Sequence, residues 1–270
     1  MAFGENIRKY RKMKNLTQEE LAEKLDVSFQ AVSSWEREEY APDVKKLLKL
    51  SEVLDVSLSD LAEERKQDYE MRQTLFDWEH MKSFVKITAK SKNMTQTLKA
   101  LDFALKAHEG QYRKKSEIPY IYHPLNMACH LLALGIEEDS TIAACLLHDV
   151  LEDCEVTANE LPVAEDTKQI VTLLSKTEDS IDREAMLKEY FFKISCNPQA
   201  SLIKVVDRVN NLTTMSWGLS RERNFRMIKE TEEYVLPLLK VIKAVPEYNN
   251  AAWLLKYQLE SMLDIYKRLL

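Results

Sequence analysis

Four glycines and seven prolines are all that interrupt 270 residues. Between them run long stretches of Leu, Ala, Glu and Lys, the side chains that lose least on entering a helix. A chain written this way is expected to fold as an all-α protein. Its length suits two domains, and at 45% hydrophobic residues it can bury a sizeable core. The formal net charge of −6 argues against a polybasic binder of nucleic acid or membrane. No apolar run approaches the ~20 residues that span a bilayer. The opening Met-Ala-Phe-Gly-Glu-Asn lacks the apolar segment of a signal peptide. Cys129, Cys145, Cys154 and Cys196 show no Cys-x-x-Cys spacing. Free buried thiols in a cytoplasmic protein with no membrane partner are therefore expected.

Punctuation and periodicity divide the chain into residues 1–64, a helical linker over 65–94, and a helical domain over 95–270. The first segment reads as five short helices. Thr17 with Glu20 three residues on makes a capping box, and Ser28 can cap the helix that starts at Phe29. Two helices about the turn Leu25–Ser28 have helix-turn-helix spacing, which sends the second into a DNA major groove. Gln30, Ser33, Ser34 and Arg37 are read as its exposed positions. Gln can read adenine, and Gln18 at the preceding helix start can donate to a phosphate. With Ser28, these are the candidate DNA contacts. A helical protein-interaction module is the other reading. Residues 1–64 hold 10 Lys/Arg against 14 Asp/Glu, so tight binding needs a specific operator and a homodimer. In the linker, Met71, Leu75, Trp78 and Val85 fall at helical spacing. That stripe suits either packing on the second domain or a dimer seam.

The pattern Asn15-Leu16-Thr17-Gln18-Glu19-Glu20-Leu21-Ala22, with Val27-Ser28 and Val32-Ser33-Ser34-Trp35-Glu36-Arg37, resembles the Cro/C1-type (XRE) helix-turn-helix family. That family usually has Gly after the Glu-Arg pair, where this chain has Glu38.

In the third segment, His148-Asp149-Val150-Leu151-Glu152-Asp153 closes an apolar stretch read as one helix over Thr141–Asp153. Four ionisable groups on the last turns of a buried helix are costly unless something uses them. His123 opens an earlier helix, and Asp207 follows the apolar run Leu202–Val206. Two imidazoles and two carboxylates suit Mn²⁺, Fe²⁺ or Zn²⁺. His123, His148, Asp149 and Asp207 are the candidate ligands. Glu152 and Asp153 are left to orient and deprotonate a water that the cation acidifies. Lys204 and Arg208 bind phosphate or pair with local carboxylates. His80 and His130 read as surface or packed, His108 as either a site residue or a structural helix end, and Trp217 and Trp253 as core.

Ala107-His108-Glu109-Gly110-Gln111-Tyr112-Arg113-Lys114, Pro119-Tyr120-Ile121-Tyr122-His123-Pro124, Ala143 through Asp153, and Lys204-Val205-Val206-Asp207-Arg208-Val209-Asn210-Asn211-Leu212-Thr213-Thr214 resemble the hydrolase domain of RelA/SpoT-type alarmone enzymes. The resemblance spans roughly residues 95–235. It implies an all-α fold that removes pyrophosphate from the 3′ position of guanosine tetra- or pentaphosphate with Mn²⁺. It further implies Arg113 and Lys114 over the base and phosphates, and Asn211 and Thr214 at the nucleoside. The family often has Arg where this chain has Thr213. Two other outcomes fit the same residues: a nucleotide-sensing regulator with little turnover, or hydrolysis of another nucleotide.

Overall fold

The computed structural model describes residues 3–14, 16–62, 77–113, 118–176, 183–213 and 221–269. The chain divides into two compact units, residues 1–75 and 76–270. Among the described residues there is no strand, only an isolated bridge between Tyr112 and Pro119. Nor is any described helix long and apolar enough to cross a membrane.

Among its described residues the first unit has five helices: α1 (Phe3–Met13), α2 (Gln18–Leu25), α3 (Phe29–Glu36), α4 (Val44–Leu54) and α5 (Leu58–Ala62). Their ends follow from local chemistry. Thr17 and Glu20 form the reciprocal capping box of α2, and Asp26 ends that helix in the left-handed region at φ 55°. The Ser28 hydroxyl accepts from the N–H of Ala31 to start α3, and the Asp43 side chain starts α4 in the same way. Ile7, Leu21, Leu25, Val32, Leu50 and Leu54 fill the core. Gly4 lies against the end of α3. A Cβ there would stand 2.5 Å from the Trp35 carbonyl oxygen, so no other residue fits without movement. Glu38 adopts φ 60°, where glycine is at ease. This is the position at which the sequence departs from the helix-turn-helix pattern. The Glu38 carboxylate accepts the Gly4 N–H at 3.2 Å, a contact glycine could not make.

The second unit runs α6 (Trp78–Ser91), α7 (Thr95–Ala107), α8 (Tyr122–Ala133), α9 (Asp139–Leu147), α10 (Val150–Asp153), α11 (Glu165–Leu174), α12 (Arg183–Ser195) and α13 (Pro198–Thr213). Beyond these lie α14 (Arg221–Glu230), a π-helical turn (Thr231–Val235), α15 (Leu236–Lys243) and α16 (Asn249–Leu269). The helix α13 is central, buried at nearly every position from Ala200 to Asn210. Leu101, Leu125, Leu131, Ile142 and Leu146 belong to the same buried core. Gly135, at φ 80°, closes α8 in the left-handed cap its position calls for.

Several sequence expectations need revision. The segment assigned to a linker through residue 94 is part of this unit from α6 onward: Val85 is buried in its core, with Trp78 and Met81 packed beside it. Met71 and Leu75 lie outside the described residues. The helix expected over Thr141–Asp153 is broken at His148-Asp149. Nδ1 of His148 bonds the Cys145 carbonyl at 2.9 Å, the oxygen that an unbroken helix would offer to the N–H of Asp149. Trp253 is not core but 71% exposed, and Cys196 is exposed too. Trp217 is not among the described residues.

Candidate functional site

The break between α9 and α10 serves the site. It turns His148 inward and sets Asp149 beside it, facing His123 from the first turn of α8. One ligand atom from each of His123, His148 and Asp149 lies within 4.8 Å of the others, a spacing that can hold a metal ion. Asp207, on α13, joins them with its Oδ1 3.3 Å from His123 Nε2. Both imidazoles and Asp207 are buried.

The contact between His148 and Asp149 calls for positive charge. Nδ1 of His148 donates to a carbonyl, so the neutral ring leaves a lone pair on Nε2. That atom is buried without a hydrogen-bond partner and lies 3.0 Å from Asp149 Oδ2. Lone pair facing carboxylate is repulsive unless a positive charge stands between them. A divalent cation with nitrogen and oxygen ligands supplies that charge, so the residues present fit one. Without a metal, a proton takes that place: burial works against the His148 imidazolium, but Asp149 outweighs it and holds the imidazole above its ordinary value. Burial opposes ionisation of Asp149, but His148 and His123 outweigh it and hold the carboxyl far below its ordinary range. Asp207 is likewise depressed against its burial, by Lys204 first and then His123.

A shell of fixed partners holds these groups. Tyr120 donates to Asp149 Oδ2 at 2.6 Å and stacks on His108 with ring centroids 4.7 Å apart. Burial and the adjacent carboxylate push the Tyr120 phenol far above its usual value, so it acts only as a donor. Asn210 meets His123 Nδ1 at 2.5 Å. Lys204 pairs with Asp207 at 2.9 Å, while Arg208 pairs with Glu230 and bonds the Met227 carbonyl. Of the two readings of Lys204 and Arg208, these contacts are with carboxylates.

Arg113 donates to Asn211 Oδ1 at 3.1 Å, and Asn211 donates to Asp207 Oδ1 at 2.5 Å. Two candidate substrate residues are thus tied to the metal cluster. The other two, Lys114 and Thr214, lie outside the described residues. Glu152 is exposed at the edge and accepts the Lys176 backbone N–H at 2.5 Å. Asp153 is also exposed, and its carbonyl accepts from the Gln111 side chain. The Thr213 hydroxyl turns back to the Asn210 carbonyl at 2.7 Å. His80 is exposed, His130 half-buried, and neither belongs to the cluster.

Sequence reading missed Tyr120 and Asn210. The pairing of Lys204 with Asp207 was one of its two readings, since residues three apart on a helix are neighbours. Asn210 lies three residues beyond Asp207 on the same helix. Nothing in the spacing singles out Tyr120 apart from its nearness to His123.

On the first unit the DNA-contact candidates are only partly free. Gln30 is exposed. Ser33, expected to be exposed, is buried because its position turns into the core side of α3, and its hydroxyl accepts from Arg37 at 2.7 Å. Arg37 forks onto Glu39 at 2.9 and 3.1 Å, and Ser34 donates to the same carboxylate. Gln18 donates to Glu36 at 2.6 Å, and Ser28 is a helix cap.

An all-helical unit centred on paired histidines and carboxylates defines the HD class of domain. The chain belongs to the HD domain family, whose model matches residues 100–234, and a helix-turn-helix model matches residues 7–61. A guanosine-3′,5′-bis(diphosphate) 3′-pyrophosphohydrolase of Aquifex aeolicus is 32% identical over 167 residues, 60% of this chain and 22% of that protein. A GTP pyrophosphokinase of Streptomyces coelicolor is 35% identical over 153 residues, 54% of this chain and 18% of that protein. The chain therefore spans about a fifth of the length of such relatives. A solved structure of a metazoan orthologue of SpoT that hydrolyses ppGpp superposes with a TM-score of 0.52. The match has 21% identity and covers 63% of this chain and 95% of that one. That likeness bears on the fold.

Proposed function

We propose that the second unit is a metal-dependent phosphohydrolase that removes pyrophosphate from the 3′ position of guanosine tetra- or pentaphosphate, leaving GDP or GTP. The observation that carries this reading is the cluster in which buried Nε2 of His148 faces Asp149 at 3.0 Å beside His123, spaced to hold a metal ion. His123, His148, Asp149 and Asp207 would hold the ion, with Mn²⁺ the candidate. A divalent cation in that place acidifies water and neutralises charge on a phosphoryl group. The chain's own residues do the rest. Tyr120 and Asn210 hold Asp149 and His123 in position. Glu152 and Asp153, at the exposed edge, take the proton from the attacking water. Arg113 and Asn211 bind the nucleotide at a place already bonded to Asp207, so substrate and cluster are held in one register.

The reading is tested with purified protein, Mn²⁺ and guanosine tetraphosphate. GDP and pyrophosphate are expected, and Asp149→Ala should abolish them. No products, with Asp149→Ala behaving like the wild type, would overturn it.

The first unit is proposed to bind an operator as part of a homodimer, since readers of this kind use paired half-sites. This makes a second, compatible reading: a nucleotide held in the HD unit changes operator affinity. The match at residues 7–61 and the Thr213 hydroxyl turned onto its own helix favour it. Linkage then requires operator to change nucleotide affinity by the same factor. A gel shift that is identical with and without guanosine tetraphosphate would exclude it.

A further inference from the structure

Nδ1 of His123 ends a buried run of amide contacts. Asn210 Oδ1 lies 2.5 Å from His123 Nδ1, Asn210 Nδ2 donates to Asn126 Oδ1 at 2.5 Å, and Asn126 Nδ2 donates to the Tyr122 hydroxyl at 3.2 Å. Each amide in this run donates through nitrogen and accepts through oxygen, so the three contacts share one polarity. With an oxygen facing it, Nδ1 must carry a proton, and Nε2 is left as the atom turned to Asp149 and Asp207 at 3.6 and 3.3 Å.

The opposite polarity is chemically available. If both amides turned over, Nδ1 would accept and Nε2–H would point at the two carboxylates. That arrangement suits a metal-free cluster and blocks a metal. We infer that Asn210, held by Asn126 and Tyr122, is a positioning residue that fixes the ring of His123 in the Nδ1–H form and so keeps Nε2 ready for a cation. This rests on the reading of the cluster as a metal site. A metal-bound histidine generally has its other nitrogen tied to a carboxylate, carbonyl or water, and removing that partner weakens the metal about 10- to 100-fold. Here the partner is an amide, whose two ends differ, and it can therefore be poled either way. Tyr122 anchors the far end through its hydroxyl.

The test uses the full chain, stripped of metal and titrated with Mn²⁺ by calorimetry. Asn210→Ala is expected to weaken Mn²⁺ binding about 10- to 100-fold. Asn210→Asp keeps an acceptor against His123, and Asn126 can turn over to donate to it while accepting from Tyr122. That variant should recover binding to within a few-fold of wild type. A second readout is ¹⁵N NMR of the His123 ring in the metal-free protein. Nδ1 should be protonated in the wild type and in Asn210→Asp, and should lose that fixed proton in Asn210→Ala. Unchanged Mn²⁺ affinity in a folded Asn210→Ala, or an unprotonated Nδ1 in the wild type, overturns the inference. Failure of the wild type to bind Mn²⁺ at all overturns the metal reading instead.

Discussion

Each unit buries charge, and the two do so differently. In the first, Arg11 meets Glu36 with its Nε at 2.5 Å, gives another donor to the Leu16 carbonyl at 2.8 Å, and Gln18 supplies a further donor to Glu36. Both charges are satisfied within the unit. In the second, His123, His148, Asp149 and Asp207 gather as tightly, yet one ligand atom from each of His123, His148 and Asp149 converges on a place spaced to hold a metal ion. A closed buried pair belongs to the fold. An open one, kept at the cost of desolvating four groups, belongs to a ligand.

That contrast can be broken by substitution. The largest effect is expected from Asp149→Ala, which should cut Mn²⁺-dependent release of pyrophosphate by about 10³-fold, about 4 kcal/mol in barrier. The pattern fails if turnover persists. Glu36→Ala leaves Arg11 buried alone and should destabilise the first unit by about 3–5 kcal/mol without altering Mn²⁺ binding, read by urea unfolding. This pair also sets a pH dependence. Burial pushes the Glu36 carboxyl up, but the bonds from Arg11 and Gln18 outweigh it and hold it below 4.5. Its contribution is full above pH 4.5 and is lost as pH falls through the depressed value, so the first unit should unfold in acid and Glu36→Gln should flatten that loss. Mn²⁺ at a hundred times its Kd should stabilise the second unit by about 2.7 kcal/mol and leave the first unchanged, read by calorimetry with and without chelator. Gly4→Ala should destabilise the first unit by about 1–3 kcal/mol, because its Cβ meets the backbone of Trp35 and Glu36. A neutral Gly4→Ala would mean that α1 can move away from α3.

Legibility in the sequence tracked how local each cause was. The caps at Thr17 and Ser28 depend on a few neighbouring residues, and each is where local chemistry put it. The break at His148 was not legible, because it depends on a side chain bonding its own helix in place of the backbone. The burial of Ser33 was missed because polarity was read as exposure. The clustering of His123 with His148 and Asp149 could be inferred from residue types in order, whereas Tyr120 and Asn210 enter only through contacts 29 and 87 residues away in sequence. No periodicity reports those.

The account turns on one ion. Crystals grown with Mn²⁺ and measured near its absorption edge should give a single anomalous peak per chain, bonded to His123 Nε2, His148 Nε2, Asp149 and Asp207. A peak elsewhere, or full-strength hydrolysis of guanosine tetraphosphate by protein with no ion among those four side chains, would contradict it.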